Sequence, residues 1–211
     1  SEKAIKPLLK KGLVIIDPFF NRFLGPNLYY CHLGQNFLIP KKSRKSFNPL
    51  KDDSEGLFKK IHPTGSIILN PGEFILAETF EFLGTDSSHV IRLYNSSSLA
   101  RFGIFQAALG MINPGCGSKS PVRITLELCN LFTRPIELIP TTINDDGSVN
   151  WGTEVLKIGV EKIIPTPEQS YEDWKFAAYR KDKTVAVGKM KERFGKEINL
   201  ITNKSRYEFS N

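Results

Sequence analysis

The residues of this sequence whose types could do chemistry are a carboxylate inside an alternating strand and a run of serines followed by an arginine. Glu127 lies in Arg123-Ile124-Thr125-Leu126-Glu127-Leu128. On a strand, alternate side chains share a face. Thr125, Glu127 and Cys129 therefore fall on one side, and Ile124, Leu126 and Leu128 on the other. A carboxylate standing off the apolar face can take a proton from water and return it to a leaving group. Ser96-Ser97-Ser98 and Arg101 offer hydroxyl and guanidinium donors, the kind that stabilise charge developing on a substrate. Each has a plainer reading when taken singly. A lone strand glutamate ordinarily faces solvent, and a serine run is a loop or helix cap as often. Arg101 would be a surface arginine in a weak ion pair, and Asn113-Pro114-Gly115 is first of all a turn.

Zinc chemistry finds no ligand pattern. The chain has 3 cysteines, Cys31, Cys116 and Cys129, with no C-x-x-C pair, and 3 isolated histidines, His32, His62 and His89. The odd, unspaced cysteines also argue against a disulfide framework and fit a reducing compartment. A net charge of +7 and a pI near 9.3 suit an anionic partner. The basic groups, Lys41-Lys42 with Arg44-Lys45 and then Lys175 through Lys204, read first as solvated loop and tail. No RNA-recognition or zinc-finger signature accompanies them, so nucleic-acid binding is a weak option. The apolar runs, such as Leu13-Val14-Ile15-Ile16, are strand-sized, whereas a membrane-spanning helix needs about 20 apolar residues. Ser1 to Leu13 carries lysines but no apolar signal-peptide region. The expected compartment is the cytoplasm, with no membrane partner.

The elements that must position these residues read as short strands between turns. Strands are expected at 13–16, 29–33, 36–39, 66–69, 73–80, 90–94, 104–111, 123–131 and 136–139, with a last strand pair in 155–164. The polar stretch 41–63 reads as a long surface loop. Residues 1–11, before Gly12, read as a helix, and Ser96 to Phe102 as a short helical turn with a serine N-cap. The aromatic-bearing stretch Ser170 to Arg180 is read as helical. Many short, turn-delimited strands in 211 residues give a mainly β fold, a sandwich or jelly-roll-like barrel with short helices at the N-terminus and near the C-terminus. A single domain is expected over 1–211, its core about 13–165 and its C-terminal extension 166–211.

Several motifs in one order carry a family resemblance. Asn70-Pro71-Gly72-Glu73-Phe74-Ile75-Leu76-Ala77, then Asn95-Ser96-Ser97-Ser98-Leu99-Ala100-Arg101-Phe102-Gly103, then Ile112-Asn113-Pro114-Gly115, then Ile124-Thr125-Leu126-Glu127-Leu128-Cys129-Asn130 follow one another. Upstream stands Gly25-Pro26-Asn27-Leu28-Tyr29-Tyr30-Cys31-His32-Leu33-Gly34. Together these resemble the deoxycytidine triphosphate deaminase and dUTPase superfamily, nearest to dCTP deaminase. The resemblance implies a distorted jelly-roll or β-barrel of the dUTPase-like type, assembled as a homotrimer with active sites at subunit interfaces. It implies zinc-independent hydrolytic deamination of dCTP to dUTP, in some members continuing to dUMP, with Mg²⁺ carried by the triphosphate.

By the same resemblance, Glu127 matches the general base and acid, and Ser97 and Arg101 match the residues that position base, water and glutamate. Ser98 matches a phosphate-contacting serine, and Asn113 stands where an Asp meets the deoxyribose. Ser96 occupies the position of a phosphate-binding arginine. Tyr171 and Tyr179 match the tail tyrosines, Ala178 and Asp182 replace its lysine and glutamine, and Arg180 and Lys181 offer charge nearby. In dUTPases an Asp at the Asn113 motif activates water, and Asn cannot accept a proton at neutral pH. That disfavours a dUTP diphosphatase or a bifunctional enzyme. The alternative to the enzyme is a non-catalytic trimeric homologue that retains the scaffold.

Overall fold

The computed structural model describes residues 2–107, 109–164, 166–180 and 182–193. Helix α1 (Glu2–Lys10) comes first. It sets Ile5 into the core and Leu8 and Leu9 against it, one apolar stripe at helical spacing. Gly12 stops it at φ 68°, where Gly12 N donates to Leu9 O and Leu13 N to Leu8 O. A residue with a Cβ adopts that left-handed turn only with strain, which is why glycine ends the helix here.

The strands follow as β1 (Val14–Asp17), β2 (Tyr29–His32), β3 (Phe37–Pro40), β4 (Phe58–Ile61) and β5 (Ile67–Leu69). Next come β6 (Phe74–Glu78), β7 (Phe82–Thr85), β8 (His89–Asn95), the single-turn helix α2 (Ser97–Ala100), β9 (Ile104–Gln106) and β10 (Met111–Ile112). The last are β11 (Thr125–Asn130), β12 (Ile136–Leu138), β13 (Thr142–Ile143), β14 (Val149–Asn150) and β15 (Glu154–Lys162). A 5-stranded sheet runs β4-β3-β6-β11-β9 and a 4-stranded sheet runs β10-β8-β15-β2. Two-stranded pairs β1-β7, β12-β5 and β13-β14 complete the set, and every pairing is antiparallel. The mainly β expectation holds.

One core joins these sheets. Tyr29, Leu33, Phe37, Leu69, Leu83, Ile91, Leu126, Leu128, Leu138, Leu156 and Ile158 are fully buried within it. Burying each such leucine or isoleucine is worth about 1.5–3 kcal/mol, so the β11 residues Leu126 and Leu128 fix that strand's register. The strand expected as a pair in 155–164 is instead one strand, β15, hydrogen-bonded to β8 on one edge and β2 on the other. Gly159, at its middle, makes no turn, because the ladder with β8 runs unbroken through it, Gly159 opposite Arg92.

The stretch 170–180 is not the expected helix but a series of turns. Ser170 Oγ donates to Asp173 Oδ2 at 2.6 Å, and Trp174 N bonds Ser170 O at 3.1 Å, which closes one turn. Tyr171 N then bonds Pro114 O at 2.8 Å, and Tyr179 N donates to the Tyr171 hydroxyl. Short helices draw little stability from their own hydrogen bonds, so these tertiary contacts decide the path.

Gly152 sits where two backbones nearly touch. A Cβ there would overlap Ile139 O, Pro140 C and Thr141 N. None of these can swing aside, since Thr153 N bonds Ile139 O and Thr141 N bonds Leu33 O. Gly152→Ala is expected to lower stability by about 1–3 kcal/mol, measured as a shift in the urea midpoint. An unshifted midpoint would show that this approach is looser than it looks.

Candidate active site

The β11–β6 and β6–β3 registers put Glu127, Leu76 and Leu38 in one row across the 5-stranded sheet. The C-terminal segment crosses this face. Val185 packs on Leu38 and Leu76, with Phe58 and Val187 beside them. Ala186 N donates to Thr125 Oγ1 at 3.1 Å. Thr184 Oγ1 and Val185 N donate to Glu78 Oε2 at 2.7 and 2.8 Å. Glu78 is wholly buried, and its other oxygen accepts from Asn36 Nδ2 and from Arg123 Nη1, both at 2.7 Å. The carboxylate thus ties the segment to β6 and to the residues leading into β11.

Between sheet and segment lies a cavity of about 580 Å³. Glu127, Asn113, Tyr171, Trp174, Tyr179 and Arg193 are in its wall, and the apolar lining includes Phe74, Leu76 and Met111. Gln106 Nε2 donates to Glu127 Oε2 at 3.0 Å from a side chain only 2% exposed, which holds the carboxylate in orientation. Tyr171 is half-buried. Burial raises its phenol above the ordinary value, so it is a protonated donor at neutral pH. Burial, and then the nearby Glu172 carboxylate, push the Cys116 thiol of the same wall up to about 12. It is therefore no nucleophile at neutral pH.

Of the residues singled out in the sequence, one chain brings Glu127, Asn113, Tyr171 and Tyr179 together around this cavity. Ser97, Ser98 and Arg101 do not line it. Ser97 and Ser98 are exposed on α2, and Arg101 is exposed at its C-cap, before edge strand β9. Ser96 is buried and serves the backbone. Its hydroxyl accepts from Leu99 N as the α2 cap and donates to Glu154 Oε1 at 2.9 Å. Arg180 also stands outside the lining, its Nη1 donating to Glu172 O at 2.9 Å. Lys181 lies outside the described residues.

Gln106, Trp174, Glu78 and Arg123 were not singled out from the sequence. For Gln106 the signal was a polar residue inside the apolar run 104–112, and for Glu78 an acid closing the apolar strand 74–77. Among the described residues no group of three or more His, Cys, Asp or Glu is placed to hold a metal ion, and no helix is long and apolar enough to cross a membrane.

A family model described as dCTP deaminase-like matches residues 1–143. That span includes Ser97, Arg101, Asn113 and Glu127, while Tyr171 and Tyr179 lie beyond it. A Streptomyces coelicolor protein named dCTP deaminase, dUMP-forming, is 34% identical over 143 residues, which are 66% of this chain and 73% of that protein. A Thermobifida fusca protein of the same name is 30% identical over 184 residues, 81% of this chain and 92% of that protein. Among solved structures, the 2'-deoxycytidine 5'-triphosphate deaminase from Agrobacterium tumefaciens superposes with a TM-score of 0.53 at 17% identity. The superposition covers 77% of this chain and 47% of that one, a likeness of fold.

Proposed function

The chain belongs to the dCTP deaminase-like family, and on that premise we propose that it is a hydrolase that deaminates the cytosine of a deoxynucleotide, with Glu127 as general base and then general acid. The observation that carries this is the place of Glu127: in the wall of a cavity roomy enough for a nucleoside, oriented by Gln106, with aromatic side chains in the same lining. Water adds to C4 of the base while Glu127 takes its proton. Glu127 passes that proton to N3, takes the proton of the new C4 hydroxyl and delivers it to the amino nitrogen; the C–N bond breaks, and ammonia leaves as the C4 carbonyl forms. Charge developing on ring and water is met by fixed donors, the role of Ser97 and Arg101. The phosphates stay intact, so dCTP, the substrate named for the relatives, would leave as dUTP. Their names add dUMP formation, a second hydrolysis for which the Asn113 amide offers no base. Mg²⁺ would ride on the phosphates rather than on a protein site.

Because Ser97 and Arg101 stand apart from the Glu127 cavity of their own chain, the complete site needs a second copy. A homotrimer in which α2 of one protomer meets the Glu127 cavity of the next satisfies this. Exposed apolar side chains near β9, Phe102, Phe105, Leu131 and Phe132, provide a surface for it. The test is subunit complementation. Glu127→Gln and Arg101→Ala proteins, each inactive alone, are expected to regain about a third of wild-type ammonia release per mixed trimer once dissociated and reassembled together. A mixture no more active than its parents would rule out a shared site. Failure of wild-type protein to release ammonia from any cytosine nucleotide would leave the non-catalytic homologue as the reading.

A further inference from the structure

A concentration of positive charge lies beside the cavity, in residues 41–60. This stretch carries seven lysines and arginines against three acids, Asp52, Asp53 and Glu55. Two of the acids are turned onto the backbone. Asp52 Oδ2 accepts from Asn48 N at 2.8 Å, and Asp53 Oδ1 accepts from Glu55 N at 3.0 Å. All seven cations are exposed, and among the described residues none is in an ion pair. The excess of four, seven less three, is larger than the two acids, Glu197 and Glu208, that the sequence holds outside the described residues. The positive field of this stretch is therefore not cancelled from within the chain.

Strand register brings this field to the cavity. Lys60 stands opposite Leu38, Leu38 opposite Leu76, and Leu76 opposite Glu127. Directly opposed residues of antiparallel strands share a face. Lys60 therefore lies on the Glu127 face, three strand spacings or about 14 Å along it. Phe58, on the same face of β4, and Gly188 are in the cavity wall, and Ser54 Oγ donates to Gly188 O at 2.7 Å. Lys41 follows Pro40, the partner of Phe58, and its N donates to Leu57 O at 2.7 Å. Val185 packs on Leu38 and Leu76 in the middle of the row, so Lys60 is held apart from the base and acts at the cavity's rim. We propose that Lys60, with Lys41, Lys42, Arg44 and Lys45, forms an electrostatic collar that draws the substrate's triphosphate to the end of the cavity at Phe58 and Gly188. The inference rests on the deaminase reading and adds to it the route by which an anionic nucleotide arrives. A triphosphate stays anionic with Mg²⁺ on it, and charge of one sign at a cleft raises association with the opposite charge by about tenfold or more.

The experiment compares the full chain with a variant in which Lys41, Lys42, Arg44, Lys45 and Lys60 are all replaced by glutamine. These side chains are exposed and in no ion pair among the described residues, so the substitutions remove charge and break no salt bridge there. Ammonia release from dCTP with Mg²⁺ is measured from about 0.01 M to about 1 M salt, over which the screening length falls from about 30 to about 3 Å. At the lowest salt, kcat/KM of the variant is expected to be about tenfold below wild type, with kcat within about twofold. At the highest salt the two proteins should converge. A structural defect would lower kcat and persist in salt. Equal kcat/KM at low salt, or a deficit that salt leaves unchanged, overturns the inference while upholding the deaminase reading. If wild type releases no ammonia, that reading falls and calorimetric titration with dUTP in EDTA decides the inference. Binding about tenfold weaker in the variant at low salt upholds it, and equal binding, or none by wild type, overturns it. Capture of a thymidine oligonucleotide by wild type and not by the variant, with nucleotide kinetics and binding unchanged, assigns the stretch to nucleic acid and likewise overturns it.

Discussion

Replacing Glu127 with glutamine is expected to lower ammonia release by about 10²–10⁴-fold in kcat while leaving fold and assembly unchanged. The substitution keeps the side chain's shape and an oxygen able to accept from Gln106 Nε2, the contact that orients it at 3.0 Å. What it removes is the capacity to take a proton from water. Glu127 is half-buried at the cavity wall, and the register of its strand is held by Leu126 and Leu128 on the opposite face. Local packing therefore gives no reason for the variant to unfold. Three measurements separate chemistry from structure: ammonia release under saturating substrate, the thermal midpoint, and mass by sizing with light scattering. A variant that keeps more than about a tenth of the wild-type rate would remove Glu127 from the proton-transfer step. Gln106→Leu should fall between, since it removes one contact that orients the carboxylate without neutralising it. Its effect belongs in kcat rather than KM, as expected of a positioning residue.

The legible parts of this molecule were those where local pattern and tertiary environment agree. The alternation around Glu127 gave the two faces of β11, and the buried, half-buried, buried sequence along 126–128 follows it. Ser96 at the head of α2 was recognisable as a cap, and it caps. Gly12 ends α1 where the sequence has it. The misread stretch was 170–180, where helix-compatible residues are drawn into turns by Tyr171 bonding and by the aromatic contacts of Trp174 with Tyr171 and Phe176. Of those partners Pro114, which accepts from Tyr171 N, lies far off in the chain, and no local pattern contains it. The same holds for the site. The family motifs name Glu127, Ser97 and Arg101, but that a single chain parts Glu127 from the other two is a fact of three-dimensional placement. Glu78 shows the limit most clearly. Its donors come from residues 36, 123, 184 and 185, and no window of sequence brings these together.

Glu78→Ala is accordingly expected to destabilise the protein by about 3–5 kcal/mol, the cost of breaking a buried ion pair from one side. Whole-domain stabilities are about 5–15 kcal/mol, so this is a large share. The loss has two separable parts. Arg123, only 18% exposed, keeps its charge and loses the carboxylate at 2.7 Å. Thr184 Oγ1 and Val185 N lose their acceptor, and with it the tie that holds the C-terminal segment over the Glu127 cavity. The two parts predict different signatures. Removing Arg123 together with Glu78, as Glu78→Met with Arg123→Met, takes away the orphaned charge and should recover most of the global stability, because well-packed apolar pairs often replace buried ion pairs without loss. It cannot restore the acceptor for Val185 N, so the segment should stay loosened. Denaturant midpoints report the first part, and amide exchange at Val185 and Ala186 reports the second. If Glu78→Ala alone leaves Val185 as protected as in wild type, the carboxylate is not what holds the segment down. If the double substitution restores both midpoint and protection, apolar contacts of Val185 with Leu38 and Leu76 suffice to hold it. The expected result, recovered stability with a loosened segment, would show that a buried charge at the sheet governs closure of the cavity and not only its own burial.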